Sequence, residues 1–354
     1  MQSGQFRCVG LAAAAIVTAG AERGLAQEAR YRLEIYAAPA GAESAFPGDM
    51  TEGGLIVGQT GSDEYDPFAQ PLILLGARQR ILPTPTDSLN FLLGVGSPET
   101  IVGASSNLPA AWVRGRPRIL KPANGFPNGA AYDANRAGVI CGEVYQDFTG
   151  RQWPVVWRDA DAVGRILPGI GDSKQGAAFA VNDRDQVAGV LLNLGGLNFA
   201  AVRWDSPVER PKVLGALPGA VNSEVLALNE LGDAAGRSSF ADNSVRAMLY
   251  VEATQSVADV GTLGGTYAIA NDVNNLGQVV GFSNVVEFGA ARGFIWFDGV
   301  LSDLNDLVAE ASGEYDHIAD AKAIDDQGRI AVRVQVQTER GPAQRIGMLV
   351  PLGQ

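Results

Sequence analysis

Histidine occurs once and cysteine twice in the 354 residues of this chain, and these scarcities exclude several familiar site chemistries. A single histidine, His317, cannot build a multi-histidine metal centre, and a Ser-His-Asp triad would have to use that residue. Two cysteines cannot make a disulfide framework. Cys8 lies in a leader-like N-terminus, so its removal would leave Cys141 without an internal partner. Cys141 falls on an apolar position and reads as a buried, inert thiol rather than a nucleophile. Charged residues are only 19% of the chain, and the formal net charge of −12 works against binding nucleic acid or an anionic membrane. Basic or neutral partners, or a cation, fit that charge better. Gly261-x-x-Gly264-Gly265 lacks both a Lys-Ser/Thr pair and a following helix pattern, so it reads as a tight turn and not as a phosphate cradle.

Residues 1–26 read as a secretory signal peptide. Arg7 supplies the positive start, Cys8 to Ala21 form an apolar stretch too short to span a bilayer, and Gly24-Leu25-Ala26 offers a cleavage site. The rival, a buried N-terminal helix, lacks a polar face. Cys8 precedes the apolar run and so is badly placed for a lipoprotein cysteine. The expectation is an exported protein, secreted or periplasmic, with residues 27–354 forming one domain and no membrane span after cleavage.

What the chain has in abundance is glycine, 44 residues, and much of it belongs to a repeat. The clearest copy runs from Ala270 to Gly281: Asn274, a short turn ending at Gly277, an apolar triplet, and a closing Gly281. The closing position falls at Gly58, Gly103, Gly142, Gly189, Gly236 and Gly281, then at Val332, at intervals of 45, 39, 47, 47, 45 and 51 residues. Seven positions earlier stand Asn135, Asn182, Asn229, Asn274 and Asp325, with Thr51 and Gly96 in the two degenerate early copies. A second landmark follows each closing position: Trp157, Trp204, Tyr250 and Trp296, with Leu74, Trp112 and Leu349 in the outer copies. Runs such as Lys212-Val213-Leu214 and Ala258-Asp259-Val260 complete the unit.

Each landmark reads as a short strand, rich in Val, Ile and Leu and bounded by Gly, Asn, Asp or Pro. Asn favours the start of the turn, and Gly277 the positive φ that a bulged hairpin needs. Four strands every 45 or so residues predict an all-β, seven-bladed β-propeller of four-stranded antiparallel blades. The last copy lacks an outer strand, and Tyr31 to Tyr36 offers a spare one of that type. Pairing the two would close the ring through the N-terminal strand and hide its free edges. An open β-solenoid is the rival, although its rungs usually need fewer residues.

The segments Asp259 to Thr266, Asn271 to Gly281 and Gly293-Phe294-Ile295-Trp296 resemble the HAF-repeat family of exported bacterial proteins. The resemblance is strong from Ala131 to Leu307 and faint outside. It implies a propeller-like fold and no general enzymatic activity. The histidine of the eponymous His-Ala-Phe triplet is replaced by Trp153, Ala200, Arg246 and Arg292 in the four best copies, so no chemistry that needs it carries over.

Candidate function lies in the connections. His317 falls in the longest of them and reads as a solvated loop histidine, with a catalytic acid or base as the alternative. Asp272-x-Asn274-x-x-Gly277 and Asp133-x-Asn135-x-x-Gly138 resemble calcium loops in spacing but lack further oxygen ligands, and turn chemistry explains them. No cofactor is expected, with calcium at these turns as the alternative. With the Asn-bearing strand innermost, the connections after the second and fourth strands open on one face. Those after the second strand carry Asp63, Glu64, Tyr65, Asp66 and Phe68, then Tyr145, Asp147 and Phe148, then Phe240 and Asp242, then Glu287 and Phe288. Aromatics with carboxylates on loops of varying length suit a glycan or an extracellular protein. The bland reading tucks these aromatics against neighbouring blades. A non-catalytic binding module is the leading expectation; a glycan-active hydrolase or lyase with carboxylates converging from several blades is the alternative.

Overall fold

The computed structural model describes residues 30–353 apart from 64–65, 67, 87–89, 124, 147–150 and 287–288, so the leader lies outside the described residues. Each repeat forms one antiparallel sheet. In blade 6 the strands are Ala268–Val273, Val279–Asn284, Ala291–Phe297 and Val300–Asp303, paired in that order. Six sheets have four strands and follow the chain in this way; the seventh has five. The first strands of successive sheets neighbour one another around the whole circle, including the innermost strand of the last blade, His317–Ile324, against that of the first, Ser44–Met50. This is the seven-bladed β-propeller expected from the repeat.

Closure comes from the N-terminus. Tyr31–Ile35 lies antiparallel to Gly341–Pro351, pairing Tyr31 with Pro351 and Leu33 with Leu349. It serves as the fourth strand of blade 7, as the strand count predicted. One feature was not foreseen: Val308–Ala311 pairs in parallel with the other edge of Tyr31–Ile35 and makes a fifth strand. The seam strand is therefore held on both sides.

The repeated residues do more than form turns. Asn274 does shape its turn, because its Oδ1 accepts N–H bonds from Leu276 and Gln278 at 3.1 and 3.0 Å. Gly277 sits at φ 76°, a left-handed conformation that costs glycine little. The closing glycine is different. Each innermost strand bulges just before the turn, as at Asn271 between Ala270 and Asp272, and Gly281 pairs with Ala270 beside that bulge. A Cβ on Gly281 would collide with the backbone carbonyl of Ile269, and the other five closing glycines meet the same obstacle. Their role is close approach within the sheet, which the turn chemistry of Asn274 and Gly277 does not explain.

Seven buried apolar clusters fill the seven junctions between blades. The one at the seam joins Ala45, Ile56 and Leu72 of blade 1 to Ala323, Ala331 and Ile346 of blade 7. The repeated tryptophans pin these junctions. Trp112, Trp157 and Trp204 are fully buried, and their indole N–H groups donate to the carbonyls of Pro83, Lys121 and Pro168 at 2.6, 2.7 and 2.7 Å. Each acceptor lies just beyond the outer strand of the preceding blade. Burying so large a ring removes much apolar surface from water while its one polar atom stays bonded.

Candidate functional site

The central channel collects polar groups that the propeller brings in from every side. At the end where the repeat turns gather, the repeat asparagines form a belt. Asn135 Nδ2 donates to the Asn182 carbonyl, Asn182 to Asn229, Asn229 to Asn274 and Asn274 to Asp325, at 2.9–3.0 Å. In blade 7, where Asp325 replaces the asparagine, Arg329 takes over the donor role. It is held by the Asp325 carboxylate and donates to the Glu52 carbonyl at 2.8 Å, so the belt crosses the seam.

The next residue in each repeat builds a second circle around the channel mouth. The backbone N–H groups of Arg136, Asp183, Glu230 and Asn275 donate to the side chains of Asp183, Glu230, Asn275 and Asp326, each at 2.8 Å. Arg136 and Asp183 also form an ion pair at 3.0 Å. The mouth is thus acidic, with Glu52, Asp183 and Glu230 around a cavity of about 250 Å³. Burial raises the Glu52 carboxyl above its ordinary range.

Inside the mouth three aspartates line the cavity: Asp49, Asp133 and Asp272, from blades 1, 3 and 6. Each stands beside the bulge, two residues before the repeat turn, and each is bonded identically. One oxygen accepts the N–H of the next residue and the other an N–H of the following blade: Asp49 from Met50 and Val95, Asp133 from Ala134 and Val181, Asp272 from Val273 and Ile324. All six bonds measure 2.7–2.8 Å. Two N–H donors favour the charged form, but loss of bulk water outweighs them. Burial, with repulsion from Asp49 added, pushes Asp272 up to about 7. Asp49 and Asp133 are raised for the same leading reason. The bulge residues complete the wall, with Leu93, Tyr132, Phe179 and Leu226 on one half and Asn271 and Lys322 on the other. Lys322 pairs with the buried Asp320 at 3.0 Å, and Asn271 donates to the same carboxylate.

These aspartates were missed as a group in the sequence, where Asp133 and Asp272 were weighed only as calcium-loop residues and Asp49 not at all. Their signal was available: an aspartate two places before the turn in three copies, alanine or glycine in the others. Among the described residues no group of three or more His, Cys, Asp or Glu side chains is disposed to hold a metal ion.

The sequence-selected loop residues lie elsewhere, at the opposite end of the blades. Asp66 organises its loop, accepting from the Ser62 N–H and hydroxyl and from the Phe68 N–H at 2.7, 3.0 and 2.8 Å. Those bonds hold its carboxyl below the usual range. Phe68 is 79% exposed at the tip, and Asp63 caps the same turn through its carbonyl. Tyr145 is half-buried, and burial raises its phenol. Phe240 packs against the cluster between blades 4 and 5, as the bland reading had it. Glu64, Tyr65, Phe148 and Phe288 lie outside the described residues, as do Asp147 and Glu287. His317 is not a loop residue: it opens the innermost strand of blade 7, paired with Gln335, because that strand starts earlier than the repeat pattern marks. Partial burial and the nearby Arg292 lower its pKa. Phe68, Tyr145, Phe240 and His317 are carried by four different blades.

No family model matches the chain, and no curated protein matches its sequence. Solved structures resemble it in fold. The extracellular domain of a proposed one-component system from B. thetaiotaomicron superposes with a TM-score of 0.54 at 9% identity, covering 90% of this chain and 39% of that one. An oligogalacturonate lyase from Vibrio parahaemolyticus gives 0.51 at 9% identity, covering 90% and 96%. A puromycin hydrolase gives 0.50 at 13% identity, covering 86% and 53%. The chain thus spans well under two thirds of the first and third of these proteins. Such distant likenesses establish the propeller fold and no activity.

Proposed function

We propose that the protein is an exported, non-catalytic propeller that binds an extracellular ligand, a glycan or a protein, through the loops of one face. The carrying observation is the state of the channel carboxyl groups. Asp49, Asp133 and Asp272 spend both oxygens on backbone N–H groups of two blades, so they fasten the ring and leave the chemistry to the periphery. The loop around Asp66 supports the reading: its internal bonds set the backbone before any ligand arrives, which lowers the ordering cost of binding. Export rests on residues 1–26, and membership of the HAF-repeat family on the repeat itself. Among the described residues no helix is long and apolar enough to cross a membrane.

A glycan array probed with the full chain tests this reading. Binding that is weakened by Phe68→Ala and Asp66→Ala, with melting unchanged, is the expected result; a ligand lost only on channel substitutions would overturn it. The second reading is a glycan-active hydrolase or lyase, favoured by three raised carboxyl groups around one cavity. It requires turnover that disappears in Asp272→Ala while that variant remains folded.

A further inference from the structure

Four of the five tryptophans, at 112, 157, 204 and 296, occupy the aromatic position of the repeat; Trp153 does not. It is the second residue of the third strand of blade 3, at a register position that the other copies fill with Gln70, Leu108, Ala200, Arg246, Arg292 and Arg345. No other copy carries an aromatic ring at that position. The ring is half-buried: one side rests on the cluster between blades 2 and 3, beside Phe126 at 4.6 Å between centroids and a 53° tilt. The other side faces a cavity of about 390 Å³ at the junction of blades 3 and 4.

The cavity wall is built before any ligand is present. Pro168 is fixed through its carbonyl, which accepts the buried Trp204 indole N–H at 2.7 Å. Ile170 and Ser173 exchange backbone bonds at 2.9 and 3.0 Å, closing a small turn that sets Lys174 beside Gly169. Two cations line the opening, Arg165 and Lys174. Both are exposed, and neither forms an ion pair among the described residues. In a chain of net charge −12, two unneutralised cations beside an exposed indole face form a local exception.

We infer that this cavity binds a carboxylated pyranose, such as a uronic acid unit of an acidic glycan. The C–H face of the sugar stacks on Trp153, as apolar sugar faces do on indole rings. Its carboxylate meets Arg165, whose planar fork matches two carboxylate oxygens, with Lys174 as a second positive charge. The inference rests on the binding-module reading and adds to it one ligand class at a second place, separate from the Asp66–Phe68 loop.

The test is calorimetric titration of the full chain with a galacturonate trisaccharide, free galacturonate, and the methyl ester of the trisaccharide. Saturable binding of the trisaccharide is expected, with the ester weaker by about tenfold or more because it lacks the charge. Trp153→Ala and Arg165→Gln should each weaken the acid form by a similar factor, and Arg165→Gln should erase the preference over the ester. Arg165 is exposed, so that variant keeps the fold and reads the carboxylate contact by itself. Equal affinity for acid and ester, or no saturation at about 10 mM, overturns the inference. If a glycan binds with full affinity to Trp153→Ala, this cavity is wrong while the binding-module reading stands; if no ligand of any kind binds, both fall.

Discussion

The backbone N–H of Asp326 donates to the Glu52 carboxylate at 3.0 Å, across 274 residues of sequence and across the seam of the ring. Together with Arg329 on the Glu52 carbonyl, it carries the belt of side-chain latches from blade 7 into blade 1. A ring whose latches run through its seam should fail as one unit. Leu33→Ala, in the fully buried centre of the seam strand, should cost about 3 kcal/mol of stability, and deleting Tyr31 to Tyr36 should unfold the whole ring in one transition. Calorimetry reads both. A shortened chain that melts unchanged would overturn this closure.

The asparagine belt predicts a specific asymmetry. In Asn182→Asp the turn acceptor survives, but an oxygen replaces the nitrogen that donates to the Asn229 carbonyl at 3.0 Å. Two acceptors then face each other in a buried site. Asn182→Asp should lose about 2–3 kcal/mol in urea titrations, and no less than Asn182→Ala, whose small side chain leaves only unmet partners. Equal stability of Asn182→Asp and the parent would reduce the belt to a crystallisation of turn geometry with no energetic role.

The channel aspartates reverse the usual acid behaviour. For Asp272 the carboxyl sits near 3.8 when unfolded and is pushed up to about 7 in the ring, so the folded state binds a proton more tightly. Its contribution is fully present below pH 4 and is lost as pH rises through 7. Urea midpoints should therefore increase as pH falls from 8 to 5. Asp272→Ala should reduce that slope, and alanine is sterically tolerated there, since Ala180, Ala227 and Ala323 occupy the same repeat position. A slope unaffected by Asp272→Ala would refute the assignment.

Two glycines four residues apart separate close approach from backbone freedom. Gly281→Ala drives a methyl into the Ile269 carbonyl and should cost about 3 kcal/mol or more. At Gly277 no atom lies within 4 Å of an added Cβ, so Gly277→Ala meets only the penalty of φ 76°, about 1 kcal/mol. Denaturant titration of the two variants side by side decides the order.

Most of the architecture was legible in the sequence because a repeat records its own period: the blades, the strand order within them and the ring closure follow from spacing. What escaped was everything that depends on the next blade. Asn182 looks like a turn residue locally, and its second bond, to Asn229, exists only once the ring has formed. The aspartates at 49, 133 and 272 lie tens of residues apart and meet only around a central axis. Val308–Ala311 was overlooked for a different reason: four residues, three of them exposed, carry too little apolar pattern to announce a strand. His317 was misplaced because its strand extends beyond the part of the repeat that recurs.

The fifth strand gives the N-terminus a mechanical character. Tyr31–Ile35 runs between an antiparallel neighbour and a parallel one, with Arg30 tied to Leu307 and to Leu352 at its start. A pull applied at that end acts along the strand, so two rows of hydrogen bonds must shear together rather than open one at a time. If the chain is held or tugged by its beginning, the load falls on a strand bonded along both of its edges, and the blades behind it stay at rest.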